Sequence, residues 1–282
     1  MGRGMRNHGT RFECLLMRPH DHIGWTFSGP RGFDALARPF LAEGAARGQL
    51  LMYVTGSPSA ATATRLRDRY GSKNIQVAST AEVYGASGVV DACAQRAAFA
   101  AVVADALAGG FSGVRVAADN TPLVTDEERL AAWIRWEHIA DRFMAQNPVT
   151  GLCAFDAELV DVNRLRHLAT LHPLSASSDP APQYRLYSDG PDLTLEGDID
   201  SFAIRQLPLA LEVLPRKTGV LIDLSAATLI SRAPLAGLRR LAESGVPVTI
   251  RGSREQLKAL TDGALNPAGH LLLEESPAPE PA

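Results

Sequence analysis

The chain has 282 residues, long for one ordinary domain and comfortable for two. Apolar residues make up 46%, enough for true cores, and a formal net charge of −3 supplies no bulk electrostatic pull toward nucleic acid or anionic lipid. No stretch approaches the roughly 20 uninterrupted apolar residues of a membrane span, and the basic N-terminus lacks the apolar core and cleavage site of a signal peptide, so a cytoplasmic protein is expected.

Residues 1–17 read as an extension without structure of its own. A helix is predicted over 32–47, with Leu36, Phe40 and Leu41 on one side. The apolar run LLMYVT at 50–55 has the composition of a buried parallel strand, and 74–78 is a weaker strand candidate. An Ala-rich helix over 91–107 is closed by Gly109-Gly110, and strands follow at 113–118 and 151–155. Strands separated by helices predict an α/β domain with a doubly wound parallel sheet. The first apolar strand leads into Gly56-Ser57-Pro58-Ser59-Ala60, not into a glycine loop ending in Lys and Ser or Thr. Lys73 follows Gly71-Ser72 without such a loop. ATP binding is expected to be weak and ATP hydrolysis absent.

A further helix is predicted from a capping box, Thr125-Asp126-Glu127-Glu128, with Thr125 as N-cap. At helical spacing Leu130, Trp133, Ile134, Ala140 and Met144 share one side, and Glu127, Glu128, Arg135, His138 and Arg142 lie opposite. Trp133, Trp136 and Phe143 read as core aromatics. Glu137 falls inside the apolar sector, where a carboxylate needs a partner or else protonates. Two readings stay open: a buried Glu137–Arg115 ion pair that joins helix to sheet, or a polar patch lining a ligand pocket. Arg115 and Asp119 are assigned to the carboxyl end of their strand, where open α/β sheets collect ligands.

His172-Pro173 is read as closing a helix. His22 lies in a segment read as irregular and meets His172 only if the sheet brings both to one edge. Their spacing from Cys153 matches no local metal motif, so no metal and no other cofactor is expected. Cys14, Cys93 and Cys153 are read as small buried hydrophobes in a reducing compartment.

Residues 175–183 are Ser-, Pro- and Ala-rich and read as a linker, which puts a domain boundary near 180. Beyond it, strands are predicted at 184–187, 193–196, 220–224, 246–251 and 270–273, with helices at 201–214, 233–244 and 254–260. This order predicts a small mixed-sheet α/β domain over 184–275, followed by a Pro-rich disordered tail at 276–282.

Residues 18–174 resemble the MEDS domain, a sensory domain. The resemblance rests on Asp21-His22-Ile23-Gly24, Pro39-Phe40-Leu41-Ala42-Glu43-Gly44, Leu51-Met52-Tyr53-Val54, the stretch GVRVAAD at 113–119, Trp136-Glu137, PVTGLCAFD at 148–156, and Leu171-His172-Pro173. It implies a RecA/KaiC-like sheet that lost its nucleotide site and senses a small molecule or a protein. The candidate ligand-binding residues are His22, Arg115, Asp119, Glu137, Asp156 and His172.

Residues 184–275 resemble a STAS domain, the module of anti-sigma-factor antagonists, through LTLEGDID at 193–200, LIDLSAATLISRAPLAGLRRL at 221–241 and VPVTIRG at 246–252. That family carries a phosphorylated Ser at a loop-to-helix junction. Here the junction reads Ser231-Arg232-Ala233-Pro234, without a hydroxyl at either expected position. The resemblance implies partner binding through Ser225, Ser231, Arg232, Arg239 and Arg240, with an anti-sigma factor or another STAS or kinase regulatory protein as partner. Taken together, the expectation is a non-enzymatic cytoplasmic signalling or transcription regulator, with no nucleic-acid or membrane partner and homodimerisation left open. The alternative is a nucleotide-dependent enzyme of RecA-like fold, with Asp119 holding magnesium and Glu137 acting as base.

Overall fold

The computed structural model describes residues 6–29, 31–176, 182–189, 192–199, 219–230, 243, 247–262 and 270–276. The chain divides into two compact units, Met1–Pro182 and Gln183–Ala282.

In chain order the first unit comprises β1 (Gly9–Arg11), β2 (His22–Phe27), α1 (Gly32–Ala46), β3 (Leu50–Thr55), α2 (Ala60–Tyr70) and β4 (Ile75–Ser79). Then come α3 (Thr80–Tyr84), α4 (Ala92–Ala108), β5 (Val114–Asp119), α5 (Glu127–Gln146), β6 (Val149–Asp156), α6 (Val162–Ala169) and β7 (Leu174–Ala176). The strands form one parallel sheet in the order β1-β7-β2-β6-β5-β3-β4.

The crossovers from β2 to β3 and from β3 to β4 step one way along the sheet; those from β4 through β7 step the other way. Right-handed crossovers therefore put α1 and α2 on one face and α3 to α6 on the other. The first face is largely apolar: Phe33, Ala37, Phe40, Leu41 and Leu66 pack on Ile23, Leu51, Tyr53, Ala117, Leu152 and Ala154. Strand alternation turns the neighbouring residues, among them His22, Gly24, Gly151, Cys153 and Phe155, to the second face.

That second face lies against α5. The N-cap of α5 is Asp126, extended at φ −133°, ψ 173°, whose carboxylate accepts the Arg129 N–H. The expected capping box on Thr125 does not form. An ionised Asp at the positive end of the helix is the better cap, and the Thr125 hydroxyl accepts instead from Arg129 Nη1.

Helix α5 is covered from several directions. Trp136 stacks on Phe99 of α4 at 5.6 Å between ring centroids, and Tyr84 of α3 lies edge-on to Trp133 and Trp136. The N-terminal segment also meets it, through Arg6 with Asp141 and His20 with the Met144 carbonyl. Of the residues that periodicity placed opposite the apolar side, Glu127, Glu128 and Arg135 are exposed, whereas His138 is buried.

Three further expectations are corrected. Residues 6–17 are not a free extension: β1 pairs with β7, Gly9 N–H donates to the Pro173 carbonyl, and Cys14 and Met17 are buried; residues 1–5 lie outside the described residues. Residues 175 and 176, placed at the start of the linker, belong to β7 between β1 and β2; residues 177–181 lie outside the described residues. Cys93 is exposed, whereas Cys14 and Cys153 are buried.

The second unit holds β8 (Tyr184–Asp189), β9 (Asp192–Ile199), β10 (Val220–Asp223), β11 (Ala227–Ile230), β12 (Val248–Gly252), α7 (Arg254–Asp262) and β13 (Leu271–Glu275). The order is β11-β9-β10-β12-β13, all parallel, with β8 antiparallel to β9. Tyr184, Leu186, Leu195, Val220, Ile222, Val248, Ile250 and Leu260 share its core. Strand β11 stands where a loop was expected. Ser253 and Gln256 cap α7 reciprocally, and the Gln256 amide also donates to the carbonyls of Leu224 and Ala227. The predicted helix at 201–214 lies outside the described residues, as does that at 233–244 apart from helical Glu243. No helix among the described residues is long and apolar enough to cross a membrane.

Candidate functional site

Four polar side chains converge on the second face of the parallel sheet. His22 opens β2 and Cys153 lies in β6, where the register pairs His22 with Gly151 and Gly24 with Cys153. Glu137 comes down from α5, and His172 enters from the turn between α6 and β7. His22, Glu137 and His172 have no exposed surface, and Cys153 is buried. One donor atom from each of the four lies within 4.8 Å of all the others. Two glycines make the room. A Cβ on Gly24 would lie 2.7 Å from His172 Nδ1, and one on Gly151 would lie 2.8 Å from Met144 Cε and 3.3 Å from His22 Cδ2.

Hydrogen bonds on the outer side fix both imidazoles. His22 Nδ1 lies 3.0 Å from Asp141 Oδ1, an oxygen also held by Arg6 Nη2 at 2.6 Å. His172 Nδ1 lies 2.8 Å from the Leu168 carbonyl in the last turn of α6. An ionised carboxylate and a carbonyl only accept, so each Nδ1 carries the proton and each Nε2 points inward. There, Cys153 Sγ lies 3.3 Å from His22 Nε2, and Glu137 Oε2 lies 3.4 Å from the same nitrogen. His172 Nε2 is 3.6 Å from Glu137 Oε1, and the two imidazole centroids are 4.4 Å apart. Both Glu137 oxygens and His172 Nε2 are buried without a hydrogen bond of good geometry.

Charge is strongly redistributed here. Burial works to raise the Glu137 carboxyl, but His172 and then His22 outweigh it and hold the group below its usual range. For His172, burial works downward and Glu137 outweighs it, so the imidazole is raised. His22 is lowered by burial and by the charge of His172, against the pull of Asp141. Burial, then Glu137, push the Cys153 thiol well up. Asp141, opposed by burial, is held well down by Arg6 and His22.

The other expected residues serve elsewhere. Arg115 does not meet Glu137. It is the second residue of β5, near the amino end, and shares its face with Ala117, so the sheet stands between the two. It is wholly buried under α1, donating to Gln49 Oε1, the Phe40 carbonyl, Glu43 Oε2 and the Met17 carbonyl, with its guanidinium 4.5 Å from the Phe40 ring centre. It ties α1 and the N-terminal segment to the sheet.

Asp119 and Asp156 do lie at the carboxyl edge, where they organise loops. Asp119 accepts from Thr121 N–H and the Thr55 hydroxyl, and Asp156 from the N–H groups of Gly29 and Glu158. In the second unit, Ser225 follows β10, and its N–H donates to Asp223. Ser231, Arg232, Arg239 and Arg240 lie outside the described residues.

Sequence reasoning missed Asp141 and Arg6, and it read Cys153 only as a small buried hydrophobe. For Asp141 a signal existed, because it stands one turn after Glu137 and so on the same side of α5. For Arg6, 135 residues away from Asp141, there was none.

The fold and its centre define a class: a parallel α/β domain whose polar machinery is sealed under a helix on the face of the sheet, with no phosphate loop after β3. The family follows directly. Residues 21–173, more than half of the chain, match the MEDS family, the methanogen/methylotroph, DcmR sensory domain, and the protein belongs to it. Membership gives it a signalling or regulatory role. No curated protein and no solved structure matches the chain.

Proposed function

We propose that the protein is a non-enzymatic signalling regulator: the sealed centre of the first unit registers a small molecule or a protein, and the second unit passes the result to a protein partner. The observation that carries this reading is the cluster of His22, Glu137, Cys153 and His172, with three buried polar atoms that lack hydrogen bonds of good geometry, inside a domain of a sensory family. Burying polar groups with such poor partners costs free energy, which a purely structural core avoids by using apolar side chains. Enclosure under α5 suits a receptor that responds by shifting that helix.

The STAS-like reading of the second unit rests on its sequence resemblance and is compatible with its mixed sheet. On that reading the partner is an anti-sigma factor, or another STAS or kinase regulatory protein, docking around Ser225, Ser231, Arg232, Arg239 and Arg240. Arg232 places a fixed positive charge near the position where relatives are phosphorylated. It favours an acidic partner surface and a switch that does not need phosphate.

Profiling transcripts of a strain lacking this chain tests the reading. A confined set of transcripts is expected to change relative to the parent, and to return on complementation. An unchanged profile under conditions where the parent expresses the chain would overturn it.

A further inference from the structure

We propose that the sealed centre is a site for a divalent transition-metal ion of the zinc type, with His22 Nε2, His172 Nε2, one Glu137 carboxylate oxygen and the Cys153 thiolate as its four ligands. The inference deepens the reading given above, because it names what the sensing centre holds.

Distances favour it. An ion–nitrogen or ion–oxygen length of about 2.0–2.1 Å and an ion–sulfur length of about 2.3 Å give a ligand tetrahedron with edges of roughly 3.3–3.8 Å. The 3.3 Å contact of His22 with Cys153 is an edge of that size, and so is the 3.4 or the 3.6 Å contact of whichever Glu137 oxygen binds; the whole set lies within 4.8 Å, so the wider edges draw in as the ion binds. The competing account is a metal-free ion pair between Glu137 and the imidazoles. Charge-assisted N–H···O bonds run at about 2.7–2.9 Å, and contacts of 3.4 and 3.6 Å are longer than such a pair takes. Side chains arranged around a shared ion keep this separation from one another.

The outer contacts fit as well. A metal-binding histidine usually donates its second ring nitrogen to a carboxylate or carbonyl, which fixes its tautomer and aims it. His22 does so to Asp141 and His172 to Leu168. The ion also gives a partner to two of the three atoms that lack one, His172 Nε2 and whichever Glu137 oxygen binds.

The donor set selects the ion. Magnesium and calcium take oxygen ligands, whereas two imidazoles, a thiolate and one carboxylate suit a borderline first-row ion. With neutral imidazoles the charges sum to zero: the dipositive ion balances Glu137 and the Cys153 thiolate. Binding expels the thiol proton and any proton on His172 Nε2 to solvent. A neutral, four-liganded, closed site is of the structural or sensing kind, without the open position that catalysis needs.

The test uses the full chain without a histidine tag, stripped with chelator and titrated with cobalt(II). One cobalt per chain is expected, with the intense visible bands of tetrahedral cobalt and a thiolate-to-cobalt charge-transfer band, both bleached by one equivalent of zinc. Cys153→Ser should abolish the charge-transfer band and Cys93→Ser should leave it. Asp141→Asn should keep the band but weaken binding about 10–100-fold. Either no tetrahedral cobalt spectrum in the parent chain, or a Cys153→Ser spectrum identical to the parent's, overturns the site. Circular dichroism of the near-isosteric Cys153→Ser chain guards against misfolding as the cause. Cobalt binding by a chain whose deletion leaves transcripts unchanged would sink the signalling reading and keep the metal site; the reverse result would do the opposite.

Discussion

At the scale of single residues, Gly24 and Gly151 do for the centre what no polar residue can, by leaving space on adjacent strands for two imidazoles and the Met144 thioether. Gly24→Ala puts a methyl group 2.7 Å from His172 Nδ1, on a ring already held from behind by Leu168. Overpacking of this kind costs about 1–3 kcal/mol. Urea unfolding of the variant should show that loss, and an unchanged midpoint would mean that His172 does not stand over β2. Of the centre's members, the family resemblance named His22 and His172, and periodicity made Glu137 legible, because a carboxylate in the apolar sector of a helix demands a partner. The partner was not. Arg115 looked suitable in charge and proximity along the chain, but strand alternation turns it to the opposite face. His22, Cys153 and His172 share no local spacing, and only the parallel register of β2 and β6 brings the first two together.

At the scale of elements, the apolar runs of β3 and β5 announced themselves because a strand buried on both faces needs no alternation. Strand β2 did not, since HIGWTF opens with a polar residue and includes a glycine; pairing on both sides makes it a strand. Strand β7 is three residues at the head of a Ser- and Pro-rich stretch, and its pairing with β1 and β2 overrides that composition. In α2 only Leu66 is buried, so no apolar stripe marked it. The start of α5 separates the sequence expectation from the structure most cleanly. Asp126→Ala removes the carboxylate that accepts the Arg129 N–H and should lower the thermal midpoint measurably. Thr125→Ala should stay within about 0.5 kcal/mol, as for an ordinary surface change. Equal losses in thermal unfolding of the two variants would return the cap to Thr125.

At the scale of the whole molecule, the parallel sheet and its helices form one unit with its own core, and the mixed sheet forms another. This division was legible, because alternating strand and helix signals on both sides of a Ser- and Pro-rich segment leave few other arrangements. Which face of the first sheet carried the chemistry was not legible. In open α/β sheets ligands usually bind beyond the carboxyl ends of the strands. Here Asp119 and Asp156 occupy that edge to hold loops, and the polar centre lies beneath α5 instead. On the proposed function, the output of the entire chain depends on that centre. The most direct test replaces the chromosomal copy with Glu137→Gln, which keeps the shape of the side chain and removes its charge, and compares transcripts with those of the parent and of the deletion strain. With the chain at parental abundance, the variant is predicted to shift the same transcripts as the deletion; a parental profile would contradict the claim that the centre governs the signal.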